Sequence, residues 1–164
     1  MTEASVSVAR ADESRWRDVR AIRLEALADT PDAYGSTLAD AEARPEQYWR
    51  AMAARANTFL ADDGGRVVGM ASGGTNDHES GTGWLYAMYV TPTHRGTAAA
   101  PRLVDAVCDW ARANGYDRLF LNVAATVGRA QAFYGRVGFV ATGATSAMDR
   151  DPASTLFTMV RGLD

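Results

Sequence analysis

Residues 82–139 hold the side chains and backbone best arranged for chemistry, in two tandem strand-then-helix units. The first runs Thr82 to Val90 as a strand, then Thr91-Pro92-Thr93-His94-Arg95-Gly96-Thr97-Ala98-Ala99-Ala100, with a helix from Ala99 to Asn114. The second runs Arg118 to Ala125, then a helix carrying Arg129-Ala130, Phe133-Tyr134 and Gly138-Phe139. A strand that ends in small residues and opens at once into a helix gathers several backbone N–H groups. The first N–H groups of a helix have no intrahelical partner, and the dipole there favours negative charge. The junction is therefore an anion cradle, suited to phosphate or pyrophosphate. Arg95, Arg102, Arg129 and Arg136 lie in or beside the two helices. That placement fits an anionic ligand, although solvated helix faces would look the same.

The residues in these units resemble the GNAT family, the acyl-CoA-dependent N-acetyltransferases. The family pattern V-x-P-x-x-R-G-x-G-x-G/A is met in register by Val90, Pro92, Arg95, Gly96 and Ala100. A second pattern, N-x-x-A-x-x-φ-Y-x-x-x-G-F with φ apolar, is met by Ala130, Phe133, Tyr134, Gly138 and Phe139. The close match covers about a third of the chain, and each string alone is weak. Two positions depart from it: Ala98 replaces a loop glycine, and Val127 replaces the asparagine. Glycine matters where backbone takes positive φ or closely approaches a ligand. Ala98 therefore narrows the cradle unless its dihedrals are helical. Pro101 lacks an N–H, but proline is tolerated in a first helical turn.

The resemblance implies an α/β (α+β) fold with a mixed, mostly antiparallel sheet of six to seven strands. The sheet is expected to splay between the fourth and fifth strands, with four flanking helices. Acetyl-CoA is the implied cosubstrate, with no metal. Its pyrophosphate is expected on the amides of Arg95, Gly96, Thr97, Ala98, Ala99 and Ala100. Its pantetheine is expected in the splay, along the main chain of Met88, Tyr89 and Val90. Asn122, Ala130, Phe133, Tyr134 and Arg136 complete the expected cofactor contacts. The family uses a main-chain N–H at the position of Met88 as oxyanion donor, and loss of such a donor costs about 3 kcal/mol in the barrier. Tyr134 matches the family tyrosine that faces the coenzyme A sulfur. A phenol pKa of about 10 lies above that of a thiol, so it would protonate a departing thiolate. The other reading of Tyr134 is a buried ring with its hydroxyl tied to backbone.

No general base stands out. The fourth strand, Trp84-Leu85-Tyr86-Ala87-Met88, holds no Asp or Glu. Asp77, His78, Glu79, Glu25 and ordered water are the open candidates. By the period of two, Trp84, Tyr86 and Met88 share one face. That face suits an aromatic or apolar acceptor, and core packing equally well. The acceptor side is expected among residues 31–57, where the family places its substrate elements.

Composition narrows the remaining choices. A chain of 164 residues, 47% hydrophobic and 23% charged, suits one soluble domain over residues 1–164 without disulfides or metal. Seventeen basic against 20 acidic residues give a net charge of −3, with no basic cluster for nucleic acid. The acidic balance leans toward a cationic acceptor. No apolar run is long enough to span a bilayer, and the N-terminal residues do not read as a secretory signal. A lone Cys108 excludes an intrachain disulfide and fits a cytoplasmic setting. Two histidines and one cysteine without ligand spacing argue against a metal site. His94 reads as a solvent-facing loop residue and Cys108 as filler.

Stepping outward from the two units, the chain reads as strand, two helices, then a hairpin over 58–72. Ser5 to Ala11 alternates as a strand, and Ser14 is placed to cap a first helix. Trp16, Val19, Ile22, Arg23, Ala26 and Leu27 recur along that helix at helical spacing. Residues 33–44 read as irregular, and Pro45 opens a helix with Tyr48, Trp49, Met52 and Ala53 on one stripe. Leu119, Leu121 and Val123 mark an inward strand face with Asn122 between them, on the ligand or facing outward. Val140 to Ala147 and Thr155 to Val160 close the sheet. The implied reaction is direct acetyl transfer from acetyl-CoA to a primary amine of a small molecule or protein. The family is often dimeric, which leaves a homodimer open. Ala98, Val127 and the missing strand carboxylate support a rival reading, a non-catalytic acyl-CoA-binding module. A Rossmann-type nucleotide binder fits worse, because Ala11-Asp12-Glu13-Ser14 stands where its glycines belong.

Overall fold

Seven extended segments pair into one sheet in the computed structural model, which describes residues 6–76 and 79–164. The strands are β1 (Val6–Arg10), β2 (Thr58–Asp63), β3 (Arg66–Asn76), β4 (Glu79–Val90), β5 (Arg118–Ala124), β6 (Val140–Met148) and β7 (Asp151–Gly162). Their order is β1-β2-β3-β4-β5-β7-β6, with β4–β5 the one parallel pair. A parallel pair needs a long crossover, supplied by α4 (Ala99–Ala113). The strands β4 and β5 pair only at Gly83–Leu119 and Trp84–Phe120, then separate. The expected splay is present.

Among the described residues five helices flank the sheet rather than four: α1 (Trp16–Asp29), α2 (Leu38–Glu42), α3 (Glu46–Ala54), α4 and α5 (Gly128–Arg136). The added helix, α2, lies in the segment expected to be irregular. The Thr37 hydroxyl accepts the Asp40 N–H at 3.1 Å, and Ala41 is buried. A polar, small-residue stretch can therefore fold when a cap and one buried contact agree. Asp12, not Ser14, caps the turn before α1, its carboxylate accepting the Ser14 N–H at 2.8 Å. β7 also runs well beyond the expected Thr155–Val160, because β5 and β6 pair with it from either side.

One core lies on each sheet face. Trp16, Val19, Ile22, Ala26, Leu27, Trp49 and Ala53 cover Leu60, Met70 and Tyr89 on the α1–α3 face. Leu103, Val104, Val107, Cys108 and Ala111 of α4 cover Val68, Leu85, Leu119 and Leu121 on the other. Truncating a fully buried leucine such as Leu103 to Ala costs about 2–5 kcal/mol.

The face assignment in β4 differs from simple alternation. Tyr86 pairs with Ser72 and Tyr89 with Met70, so two residues of β4 oppose one of β3. The extra residue is accommodated at Ala87, whose φ is +52°. A bulge reverses the alternation beyond it. Met88 consequently packs with the α4-side cluster containing Leu85 and Val90. Trp84 and Tyr86 stack together, centroids 6.4 Å apart, opposite Gly74 and Ser72. The shared face of Trp84, Tyr86 and Met88 does not form. Gly74 is needed here, because a Cβ would sit 2.8 Å from the Tyr86 ring.

Candidate active site

The splay between β4 and β5 opens into a cleft of about 1150 Å³. Its walls come from β4, β5, α4 and α5 at one end and from α1 to α3 at the other. Among the residues singled out from sequence, Met88, Tyr89, Val90, Arg95, Gly96, Ala100, Asn122, Ala130, Phe133, Tyr134 and Arg136 all line it. Thr97, Ala98 and Ala99 do not, although they build the turn that closes one end.

That turn has a defined division of labour. Gly96 adopts φ +80°, a conformation open to glycine at little steric cost. The Thr97 N–H donates to the His94 carbonyl at 3.3 Å, and the Thr97 hydroxyl accepts the Ala99 N–H at 3.3 Å. The N–H groups of Gly96, Ala98 and Ala100 find no acceptor among the described residues. Ala98 sits at φ −70°, ψ −9°, ordinary right-handed geometry, so the missing glycine introduces no strain. Pro101 falls in the first turn of α4, where its missing donor is spare.

The arginines divide in two. Arg95 pairs with Asp29 at 2.6 Å and lies over the Tyr89 ring. That contact, with a smaller one from the Tyr89 hydroxyl, holds the Asp29 carboxyl below its usual range. Arg102 points elsewhere and donates to the Val6 carbonyl, tying α4 to β1. Arg129 and Arg136 line the cleft, and neither has an ion-pair partner among the described residues. His94 is not solvent-facing: its Nε2 lies 2.7 Å from Asp63, strapping the turn to β2.

Tyr134 is 8% exposed, its ring against Phe133 and Phe139. Burial, with a smaller contribution from the Tyr34 phenol, pushes its pKa above the usual phenol range. Its hydroxyl forms no hydrogen bond with a described protein group. The tie to backbone that a purely structural tyrosine would show is not made.

Met88 sits at the bulge, without a cross-strand partner in β3. Its carbonyl accepts the Tyr34 hydroxyl at 2.8 Å. Tyr34, missed from sequence, is itself held by Arg150, which donates to the Tyr34 carbonyl at 2.8 and 2.9 Å. Asn122 lies opposite the buried Leu121 and Val123, lines the cleft, and accepts the Thr158 hydroxyl at 2.7 Å. Its amide N–H groups make no hydrogen bond among the described residues. Among the base candidates, Glu25 is exposed on α1 and does not line the cleft. Asp77 and His78 lie outside the described residues, and for Glu79 only the backbone, in β4, is described.

Cys108 is fully buried in α4, and burial raises its thiol pKa, as expected of filler. Among the described residues no cluster of metal-ligating side chains occurs, and no helix is long and apolar enough to cross a membrane.

The sequence model of the acetyltransferase (GNAT) family matches residues 19–139. A mycothiol acetyltransferase from Beutenbergia cavernae is 30% identical over 129 residues, 79% of this chain and 41% of that protein. The uncharacterised N-acetyltransferase YobR of Bacillus subtilis is 35% identical over 66 residues, 40% of this chain and 27% of that one. The chain thus spans less than half the length of either curated relative. In structure, yncA of Salmonella typhimurium, solved with its cofactor acetyl-CoA, superposes with a TM-score of 0.76. That alignment covers 98% of this chain and 95% of the other at 21% identity, a likeness of fold. With the family model spanning both strand–helix units and the splayed sheet between them, the chain belongs to the GNAT family of acetyltransferases.

Proposed function

We propose that residues 1–164 act as one acetyltransferase unit, moving an acetyl group from acetyl-CoA to a primary amine in a ternary complex. One observation carries this reading. Among the described residues, a cleft with uncommitted amides and unpaired arginines at one end runs past a buried phenol whose hydroxyl has no protein partner. The donor set fits acetyl-CoA: the Gly96, Ala98 and Ala100 amides for its diphosphate, Arg129 and Arg136 for its further phosphate charge. The unpaired edges of β4 and β5 leave main-chain groups for a pantetheine amide.

Bound acetyl-CoA supplies an activated acetyl carbonyl and a thiolate leaving group. The Met88 N–H, at the bulge where no β3 residue is in register with it, is the donor to the carbonyl oxygen as negative charge builds there. Tyr34 holds the following peptide by bonding the Met88 carbonyl. Tyr134, kept protonated by burial, gives its proton to the departing sulfur and recovers one from the amine through solvent. The amine enters neutral or passes its proton to ordered water, with no side-chain base assigned. Cys108, the only thiol in the sequence, is fully buried and out of reach of a thioester, which supports direct transfer. The lone reduced thiol also supports a cytoplasmic setting.

Calorimetric titration with acetyl-CoA, followed by thiol release over an amine panel, tests the proposal. Binding plus acceptor-dependent thiol release supports it. Binding without turnover on any amine would instead support the non-catalytic module that Val127 and the absence of Asp or Glu from Trp84 to Met88 suggest. Absence of binding would end both readings.

A further inference from the structure

The acceptor end of the cleft holds two buried donors with nothing to donate to. Arg23 Nη1 and Trp49 Nε1 are both buried and without a hydrogen-bond partner among the described residues. Both residues line the cleft, Arg23 from α1 and Trp49 from α3. A buried donor left unpaired costs about 1–3 kcal/mol, more when charged, so each such group calls for an explanation.

Arg23 is unusual in another respect. Its guanidinium lies 4.7 Å from the centroid of the Tyr34 ring, and no carboxylate of the described residues pairs with it. Asp40 lines the same end of the cleft but makes no ion pair with Arg23. Arg44 and Arg55 add exposed positive charge at the rim. Burial lowers the Arg23 pKa from its usual value, with the Tyr34 and Tyr48 phenols opposing. Guanidinium remains charged in proteins even so. A fixed, planar, half-buried fork of donors matches a carboxylate, which accepts two parallel N–H bonds. Tyr34 links this cation to the reacting region, because the ring under Arg23 carries the hydroxyl that bonds the Met88 carbonyl. One tyrosine ring therefore lies between the cation on its face and the Met88 carbonyl at its hydroxyl.

Resting on the acetyltransferase reading, we infer that the acceptor is a small amine bearing a carboxylate, held by Arg23 with the Trp49 indole N–H as a further donor. The overall charge of −3 points the other way, toward a cationic acceptor. Net charge is a property of the whole surface, whereas recognition depends on the few groups facing the cleft.

Matched acceptors test the inference. Each set is an α-amino acid, its methyl ester and the amine left on removing the carboxylate, with aromatic, aliphatic and sulfur side chains represented. At saturating acetyl-CoA, kcat/KM for thiol release should favour the free acid by at least about tenfold, the worth of one charge-assisted hydrogen bond. Arg23→Gln should remove that preference by slowing the acids alone, and Arg23→Lys should restore part of it. In parallel, thermal shift of the coenzyme A-loaded protein is read with N-acetylated acids against N-acetylated amines. The acids alone should stabilise wild type, and the difference should vanish in Arg23→Gln. Equal or better use of the esters and amines, or equal stabilisation by both product classes, would overturn the inference. So would an acid preference that survives Arg23→Gln. Thiol release on any amine irrespective of its carboxylate would leave the acetyltransferase reading intact while sinking this one.

Discussion

Removing the Tyr134 hydroxyl separates a catalytic phenol from a structural one, because the two roles predict opposite balances of activity and stability. No described protein group pairs with that hydroxyl, so Tyr134→Phe breaks no internal hydrogen bond. The ring keeps its neighbours Phe133 and Phe139, with centroids 5.4 and 5.7 Å away, and no large cavity opens. Folding free energy should therefore change by less than about 0.5 kcal/mol, a Tm shift of about 2 °C or less for a chain of this size. A phenol tied to backbone would instead forfeit about 0.5–1.5 kcal/mol. Loss of a general acid slows the chemical step by about 100- to 10,000-fold, or about 2.7–5.4 kcal/mol in the barrier. Thiol release at saturating acetyl-CoA and amine measures kcat, calorimetry gives the acetyl-CoA Kd, and a melting scan gives Tm. The expected result is a collapse of kcat with Kd and Tm nearly unchanged. A kcat within about threefold of wild type would refute the acid role, whose contribution should be far larger. A large fall in Tm with little loss of kcat would restore the structural reading.

Five further outcomes follow from the same geometry. Gly96→Ala forces an L-residue into φ +80°, costing about 1–2 kcal/mol; relief by opening the turn should weaken acetyl-CoA about 5- to 30-fold by calorimetry. Ala98→Gly should leave that affinity within about twofold, because Ala98 already has helical dihedrals and no strain to relieve. Arg129→Ala and Arg136→Ala should each weaken acetyl-CoA about 3- to 10-fold, less at high salt, since both groups are exposed. Arg102→Ala should lower Tm by losing the Val6 carbonyl contact while leaving Kd unchanged. In alkali, tyrosines of the unfolded chain ionise near pH 10 while buried Tyr134 holds its proton. The unfolded state then binds fewer protons, so stability falls as pH rises above about 10, by up to about 1.4 kcal/mol per pH unit for this residue. Urea midpoints from pH 9 to 11 should show that fall, and Tyr134→Phe should lessen it.

Much of the scaffold was written locally. The small-residue junction after Val90 and the glycine after Asn114 each follow from backbone constraints on single residues. The helical spacing of Leu103, Val107 and Ala111 fixes the buried face of α4 without knowledge of its partners. A clue to the acceptor end was also present, since Arg23 stands among Trp16, Val19, Ile22, Ala26 and Leu27 on an apolar helical stripe. A charge there must be paired, or be waiting for a ligand. Residues 33–44 offered no such pattern, because α2 depends on the Thr37 cap and on burying Ala41 under neighbours distant in sequence.

Sequence by itself determined the order of elements, the small-residue turn before α4 and the candidate phenol, because each rests on short-range periodicity or on backbone freedom at one position. Tertiary structure alone decided which groups meet. The bulge at Ala87 turned Met88 away from Trp84 and Tyr86, Asp29 claimed Arg95, and Tyr34 reached Met88 across 54 residues of chain. Those outcomes depend on register and on which partner is nearest in space, and neither is encoded in the spacing of residues along a single strand or helix.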